Sequence, residues 1–468
     1  MEKEPKLAIA GALSGLFAAA PLALLLFGYT VDDALITARV SSHLSEGAGY
    51  RFNMQGAVVD AVTPLGFAQL LALGGPATTL ETLQRARLLG LVSWLLGAAV
   101  LGVLLQRSVG RRERYVALGL LALSAPAAAW AGSGMETGLV LLLGCVALLP
   151  HPVGAAAAGL AAGLRPELLP WAFVLAVGRA AFVPGRAARV SEVAGAVALT
   201  LSPAIAAALI RQAVFGSLAP LSVLAKPSDL EHGLRYALAA FLFGGAPLAL
   251  LAPRACLRAD AETRLLCVAS AAHFGAMALA GGDWMTLFRL LVPVLPTILL
   301  ASARLGAASS TPAFAVRCAL AAAVSLYVLV DTGLPARKVL ENRLALIERA
   351  RPLLAGARSI AALDAGWVGA ASNARVVDLA GVTDPVVAVL PGGHTTKRIP
   401  QQLLEGRETD TWVLLLAPDA RPATPWQESA FARQVEHRLA HLPMAADFEL
   451  VAELPLGGTR QSYLVLKR

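Results

Sequence analysis

The chain has 468 residues, of which 57% are hydrophobic and only 15% charged, and its formal net charge is +8. Soluble domains carry about 25% charged residues and a smaller apolar share, so this composition excludes an ordinary water-soluble protein and indicates an integral membrane protein. The basic residues form short clusters between apolar runs, where the positive-inside rule expects them. This placement argues against a nucleic-acid-binding protein.

The first element is an apolar run at about residues 7–28, long enough for one transmembrane helix. Its "AAAP" loosely suits a signal-peptide cleavage site, but the apolar run continues past it, which favours a retained helix. Two adjacent carboxylates, Asp32 and Asp33, follow in "TVDDALITARV". Charges at a membrane boundary are costly unless they are solvated or paired, so this pair is a functional candidate. The structural alternative is that it solvates or caps the start of a helix.

Further apolar runs predict a polytopic α-helical membrane protein with roughly 9–11 transmembrane helices. Residues 29–85 form a long first external loop, whose "VTPLGFAQLLALGG" predicts a short helix at the membrane interface. The later runs lie at about 86–106, 115–131, 137–150, 190–211, 236–253, 264–281, 287–303 and 313–331. A run at about 154–178 is broken by "LRPE", which leaves open a re-entrant hairpin or two short spans.

Arginines set the predicted orientation, because cytoplasmic loops carry an excess of Lys and Arg. With the N-terminus inside, the predicted cytoplasmic loops hold Arg107, Arg111, Arg112, Arg114, Arg179, Arg186, Arg189, Arg254, Arg258, Arg264, Arg304 and Arg317. Every unusual polar motif then falls on the opposite, external side of the membrane.

After about residue 335 the pattern changes to that of a compact α/β domain. "RKVLENRLALIERARPLL" has helical periodicity, while "SIAALDAGWVGAASNARVVDLAG", "TWVLLLAP" and "FELVAELPLGGTRQSYLVLKR" predict short strands. "TPWQESAFARQVEHRLAHL" predicts another helix, with Thr424 as its N-cap and Pro425 in its first turn. Residues 1–334 are thus predicted to form a transmembrane domain, and residues 335–468 a soluble domain outside the cytoplasm.

Other external motifs carry candidate site residues, each with an ordinary structural alternative. Glu136 in "GSGMETG" could cap the next helix, and Lys226 in "VLAKPSD" could be a solvated loop lysine. Asp283 and Arg289 in "GGDWMTLFR" could be a turn residue and a snorkelling arginine. Together these residues predict one external cavity, in which a carboxylate acts as a general base on a hydroxyl and cations stabilise a departing phosphate. The sequence has no glycine-rich phosphate loop, paired-histidine zinc motif or GxSxG elbow.

The stretch "YTVDDALITARVSSHLSEGAGYRFN", followed by "VTPLGFAQLLAL", resembles the opening loop of GT-C class membrane glycosyltransferases. "SGMETGLVLLL", "GLRPELLP", "FGSLAPLSVLAK", "GGDWMTLFRLLVPVLP" and "VVDLAGVTDP" resemble the same group in the same order. The chain looks most similar to arabinofuranosyltransferases that use a polyprenyl-phosphate arabinose donor, and the resemblance covers most of it. It implies a GT-C fold and an inverting transfer of a sugar, with a pentose such as arabinofuranose favoured. The acceptor implied is a glycan, lipid or protein outside the bacterial cytoplasmic (inner) membrane.

The resemblance also implies roles for individual residues. Asp32 or Asp33 aligns with the catalytic base of the family. The implied substrate-binding residues are Arg39, Lys226 and Arg289 for the donor phosphate, Asp283 for sugar or acceptor hydroxyls, and Asp60, Glu136, His394 and Lys397. A polar surface loop is the structural alternative for the last two. The aspartates alone leave open whether a divalent metal, Mg²⁺, Mn²⁺ or Ca²⁺, takes part.

Other hypotheses are compatible with parts of the sequence. A protein mannosyltransferase-like or lipid-modifying enzyme of the same class would share its motifs. A transporter of lipid-linked sugars should have inverted repeats and interrupted helices in both halves, whereas this chain has one interrupted run. A non-catalytic assembly subunit would tolerate loss of both aspartates at the start of the first loop.

Overall fold

The structure of the chain is a computed structural model that describes residues 3–182 and 189–468, so Arg186 of the predicted cytoplasmic loops lies outside the described residues. The helices are α1 (Lys3–Leu25), α2 (Asp32–Ser45), α3 (Phe67–Ala72), α4 (Thr79–Ser108), α5 (Arg111–Ala122), α6 (Ala125–Ala131), α7 (Thr137–Val146), α8 (Val153–Leu164), α9 (Leu169–Ala181), α10 (Val190–Phe215), α11 (Leu221–Ala225), α12 (Leu230–Phe243), α13 (Pro253–Arg258), α14 (Ala261–Leu279), α15 (Leu295–Ala307), α16 (Thr311–Val328), α17 (Leu334–Ala336), α18 (Val339–Leu354), α19 (Ala365–Ala371), α20 (Pro385–Ala388), α21 (Gln401–Glu405) and α22 (Gln434–Ala440). The strands are β1 (Ser359–Ala362), β2 (Arg375–Asp378), β3 (Thr411–Leu415), β4 (Glu449–Pro455) and β5 (Ser462–Lys467). Short 3₁₀ segments occupy Pro166–Leu168, Ala246–Leu250, Val292–Val294, Trp426–Glu428 and Pro443–Asp447, and a π-helical turn occupies Leu329–Gly333.

Several of these helices are apolar over a length that suits a bilayer. Within the described residues, four are long and apolar enough to cross a membrane: Pro5–Leu25, Thr79–Ser108, Val190–Phe215 and the helical run Thr311–Leu354. A fifth span results if α5 and α6, which are bent by 56° at their junction, are one crossing. Helices lie over each of the other predicted apolar runs as well, but they are shorter or less apolar. The predicted total of roughly 9–11 transmembrane helices therefore stays a prediction.

The chain folds into two compact units that do not follow the sequence order. Unit 1 comprises Met1–Tyr29, Arg87–Leu209 and Ser228–Arg337, and unit 2 comprises Thr30–Ala86, Ile210–Pro227 and Lys338–Arg468. The predicted first loop therefore belongs to the same unit as the α/β residues after 338. The transmembrane and extracytoplasmic assignments of residues 1–334 and 335–468 stay predictions.

In unit 1, the apolar run at 154–178 is interrupted where the sequence predicts a break. Helix α8 ends at Leu164 and α9 begins at Leu169. Between them, Arg165 has an extended backbone (φ −135°, ψ 91°), because a proline disfavours the helical conformation of the residue before it.

Helices α1 and α4 of unit 1 pack through glycines. A Cβ atom on Gly15 would lie 2.0 Å from the carbonyl oxygen of Ala98, and one on Gly102 would lie 2.1 Å from the carbonyl oxygen of Gly11. Such close backbone approach is typical of small residues between membrane helices. Neither glycine can be enlarged unless the two helices move apart.

Unit 2 contains the predicted sheet, with strand order β2-β1-β3-β5-β4. Strands β2, β1 and β3 are parallel, and β5 and β4 are added in antiparallel fashion. All residues of β1 and β3 are buried, as expected for inner strands covered on both faces. Trp412 of β3 stacks on Phe448 with ring centroids 4.1 Å apart, and both belong to the main apolar core of the sheet.

The predicted helix in "TPWQESAFARQVEHRLAHL" is wrong in its first half, because only Gln434–Ala440 is α-helical. Trp426 is buried in the core, where its indole nitrogen donates to the Phe448 carbonyl (2.8 Å). The residues after it extend along the end of β3, where the amide of Ala432 donates to the carbonyl of Leu415 (2.9 Å). Burial of one indole and backbone pairing with β3 thus outweigh the local helical pattern.

Candidate functional site

The adjacent carboxylates of Asp32 and Asp33 occupy the first turn of α2 in unit 2, and the side chain of Asp32 is hydrogen-bonded there. Its carboxylate accepts hydrogen bonds from the amides of Gly366 (2.8 Å) and Trp367 (2.9 Å), at the start of α19. The Arg343 guanidinium lies 3.8 Å from the same carboxylate. Because the amides at the start of a helix favour a negative charge, Asp32 fastens the beginning of α2 to α19.

Asp32 belongs to a buried charge network. Asp364 accepts from Arg433 (2.8 Å) and from the hydroxyl of Tyr463 (2.7 Å), and Arg433 also pairs with Glu436 (2.5 Å). Burial, together with the neighbouring Asp364, raises the pKa of Asp32 to about 7 against the opposing charge of Arg343. Burial also acts to raise the pKa of Asp364, but the charges of Arg433 and Arg343 outweigh burial and hold this pKa below its ordinary value.

Asp33 follows Asp32 on the same helical turn, about 100° further around the helix axis. Its side chain is half-buried, and its backbone carbonyl accepts from the hydroxyl of Thr37 (3.1 Å). Since Asp32 fixes the start of the helix, it also fixes the direction in which the carboxylate of Asp33 leaves the backbone.

Arg39, on the same helix, has backbone carbonyls as its partners. Its guanidinium donates to Phe52 (2.8 Å), to Ser372 (2.9 Å) and to Gly369. The side chain is only 4% exposed. These contacts tie α2 to the following loop and to the end of α19, and they favour a structural role over the phosphate-binding role that the resemblance implies.

Asp60 forms a buried ion pair with Arg211, at 2.8 Å. Burial holds the pKa of Asp60 above its ordinary value, although the Arg211 charge lowers it. The pair joins the first loop to the last turns of α10, and the hydroxyl pair Thr63–Ser222 (2.7 Å) joins the same loop to α11. Lys226 follows the last residue of α11 and has a half-buried side chain.

His394 and Lys397, the two candidates in the turn between α20 and α21, have different surroundings. The ammonium group of Lys397 is buried and donates to the carbonyls of Ala388 (2.6 Å) and Leu390 (2.9 Å). Burial lowers its pKa. These bonds favour a structural role for Lys397, whereas His394 has a half-buried side chain in the same turn.

In unit 1, the structure brings three distant motifs together. Arg165 pairs with Glu136 (2.9 Å) and with Glu167 (2.6 Å), and Asp283 pairs with Arg289 (2.7 Å). Arg165 lies close enough to Asp283 and Arg289 for the charges of both residues to act on it. Glu136 does not cap α7 with its side chain, since its carboxylate accepts from Arg165 instead. We call these five residues the charge cluster.

The loop that carries Asp283 and Arg289 has a strained backbone. Leu287 and Phe288 have left-handed φ values of 59° and 48°, which non-glycine residues rarely adopt. Strain of this kind persists only where the surroundings impose it, and it concentrates at functional sites.

Aromatic side chains that the sequence did not single out hold this loop in place. The indole of Trp130 donates to the carbonyls of Thr286 (3.2 Å) and Leu287 (3.0 Å). The hydroxyl of Tyr236 accepts from the amide of Leu290 (3.2 Å), and His273 contacts the carbonyl of the same residue (2.7 Å). No local pattern marks these residues, because each lies inside an apolar run and acts only after folding.

The site residues therefore fall into separate groups. The charge cluster of unit 1 contains Glu136, Asp283 and Arg289, whereas α2 of unit 2 carries Asp32, Asp33 and Arg39. Among the described residues, no group of three or more His, Cys, Asp or Glu side chains is arranged to hold a metal ion.

Comparisons with known proteins give a likeness to a solved structure. No family model matches the chain, and no curated protein matches it. Among solved structures, the chain is similar to arabinofuranosyltransferase AftD from Mycobacteria, determined by single-particle cryo-EM, with 17% sequence identity and a TM-score of 0.45. The match covers 99% of this chain and 40% of that one, so the chain spans less than half the length of the protein it matches.

Proposed function

We propose that the chain is a GT-C type glycosyltransferase, which moves a sugar from a polyprenyl-phosphate donor to an acceptor outside the cytoplasmic membrane. The observation that carries the proposal is the arrangement of the acidic pair: Asp32 is fastened to α19, and Asp33 is the next carboxylate on the same turn. A general base must be held rigidly within reach of the hydroxyl that it deprotonates. We therefore assign the base to Asp33 and the positioning of its turn to Asp32.

The reaction proposed for Asp33 is a single displacement. The carboxylate takes the proton of the acceptor hydroxyl as the hydroxyl oxygen attacks the anomeric carbon. The bond from that carbon to the phosphate oxygen breaks, and polyprenyl phosphate leaves with the electron pair. Because the attack comes from the face opposite the leaving group, the anomeric configuration inverts.

A departing phosphate needs positive charge, and the charge cluster of unit 1 has two arginines held in place. Arg289 is fixed by Asp283, and Arg165 is fixed by Glu136 and Glu167. We assign Arg289 to the donor phosphate, with Arg165 as its support. Such cations are effective because their geometry is set before the substrate binds.

The donor, the acceptor and the orientation belong to the same proposal. A pentose such as arabinofuranose is the favoured sugar, and a glycan, lipid or protein is the acceptor. Roughly 9–11 helices cross the bacterial cytoplasmic membrane, and residues 29–85 and 335–468 lie on its outer side. Product analysis separates this activity from that of a protein mannosyltransferase-like or lipid-modifying enzyme.

The test is transfer from radiolabelled polyprenyl-phosphate sugars by the purified chain in nanodiscs. Asp33→Asn should lower the transfer rate by about 10²–10⁴-fold, because the base is lost while the shape is kept. Asp32→Asn should lower it less. Asp419→Asn is the matched control, because Asp419 is an exposed aspartate of unit 2 whose partner is the exposed Arg460.

Two results would overturn the assignment. The first is a folded Asp33→Asn protein that transfers sugar at the wild-type rate. The second is a product with retained anomeric configuration. A parallel assay with a chelator decides whether a divalent metal takes part.

A further inference from the structure

A large polar cavity lies within unit 2 and is lined by residues that the proposed chemistry does not use. Its volume is about 1430 Å³, and its walls come from the last turns of α2, the loop after Asn53, the start of α4, the end of α18 and the segment from α19 to β2. Pockets for single small molecules measure about 300–1,000 Å³, so this cavity has room for a chain of several sugar residues.

The walls of the cavity are positively charged. Four arginines line it, Arg39, Arg351, Arg358 and Arg375, against a single carboxylate, Glu46. Burial lowers the pKa of His43, which also lines the cavity, so this imidazole is neutral near pH 7.

The arginines differ in how far they are already paired. Arg351 contacts Glu348 (2.7 Å), and Arg358 contacts Asp410 (3.5 Å). Arg375 is exposed, and within the described part of the chain no carboxylate pairs with it. Arg375 therefore has a guanidinium to offer to a carboxylate or phosphate group, which it can bind in bidentate fashion.

The neutral lining favours a hydroxyl-rich ligand over a lipid tail. Gln55, Thr79 and Asn373 line the cavity, and their side chains make no hydrogen bond to other described residues. Amide and hydroxyl groups suit the alternating donors and acceptors of a sugar, whereas an acyl chain needs a continuous apolar wall.

We propose that this cavity binds an acidic oligosaccharide, which it holds as the chain to be extended. The anionic groups of that glycan bind Arg375 and the arginines beside it, and its hydroxyls bind Gln55, Thr79 and Asn373. The role as an acceptor site rests on the proposed glycosyl transfer, but binding itself is independent of it.

Binding of a hexagalacturonate probe to the full chain in neutral-lipid nanodiscs tests the proposal, with maltohexaose as the uncharged probe. The wild type should bind the acidic probe about tenfold more tightly than the neutral one, and added salt should reduce that difference. Arg375→Gln should lose about tenfold in affinity for the acidic probe, which is the size expected for one charge-assisted contact. Arg421→Gln is the matched control, because Arg421 is an exposed arginine of unit 2 outside the cavity.

Equal affinity for both probes, or an equal loss in Arg421→Gln, would overturn the proposal. The proposal would also be overturned if binding of phosphatidylglycerol vesicles depended on Arg375 while binding of hexagalacturonate did not. The ligand would then be a lipid headgroup. Failure of the proposed transfer is seen separately. A chain that binds hexagalacturonate without transferring any sugar contradicts the transfer alone.

Discussion

At the start of α2, two identical carboxylates have different surroundings. Asp32 is held by two backbone amides and lies near Arg343, while Asp33 is the next residue on the turn. Adjacent and identical in the sequence, the two residues differ only in the surroundings that the fold gives them.

The raised pKa of Asp32 predicts a pH dependence of stability that its amide analogue lacks. A carboxyl whose folded-state pKa is about 7 stabilises the fold fully below its unfolded value near 4, and this stabilisation is lost as pH rises through 7. The melting temperature of the wild type should therefore fall more between pH 5 and pH 8 than that of Asp32→Asn. Thermal unfolding in detergent measures both slopes.

Asp419→Asn is the control for this comparison, because its carboxylate is exposed and should not change the slope. An Asp32→Asn protein with the wild-type pH dependence would show that the buried network does not keep Asp32 protonated.

Arg39 gives a second prediction at this scale. Arg39→Gln removes charge-assisted bonds to the carbonyls of Phe52 and Ser372. Because those carbonyls would lose their donors, we expect a loss of about 2–3 kcal/mol in stability. Chemical unfolding measures it, with the exposed Arg421→Gln as control. A variant of wild-type stability with weakened donor binding would instead support the phosphate role.

At the scale of elements, the fold depends on close backbone contact between helices. Gly102 of α4 lies against Gly11 of α1, where a Cβ atom would approach a carbonyl oxygen to 2.1 Å. By contrast, a Cβ on Gly119 of α5 would meet no atom within 4 Å.

This difference predicts unequal effects of one substitution at two glycines. Gly102→Val should force α1 and α4 apart and reduce the yield of monodisperse protein, because overpacking in a tight contact costs at least about 1–3 kcal/mol. Gly119→Val should be close to wild type. Size-exclusion chromatography and the melting temperature measure both, and equal behaviour of the two variants would contradict the described packing.

At the scale of the whole molecule, unit 2 is assembled from three separate stretches of chain. The ion pair Asp60–Arg211 joins two of them, and both side chains are almost completely buried. Removing one partner of such a pair leaves an uncompensated buried charge.

Asp60→Asn should therefore lower the free energy of unfolding by about 3–5 kcal/mol. The exposed pair Asp419–Arg460 is the matched control, and Asp419→Asn should cost less than about 1 kcal/mol. Unfolding curves of both variants test this prediction. A small effect of Asp60→Asn would mean that water reaches the pair and that the first loop is held by other contacts.

Local pattern was sufficient for much of the fold. The apolar runs, the break at "LRPE" and the strands after residue 358 lie where hydrophobic periodicity and proline predict them. The helix predicted around Trp426 was wrong, because a single buried indole and pairing with β3 determined that stretch.

The sequence by itself determined which residues carry charge and which segments are apolar, because both depend on residue type and on spacing of a few positions. Only the tertiary structure decided which charges meet. Asp32 and the amide of Gly366 are 334 positions apart, and Glu136 precedes α7 whereas Arg165 lies between α8 and α9. No local rule encodes such pairs, since their partners are chosen by how the whole chain packs to bury its apolar surface and satisfy its buried polar groups.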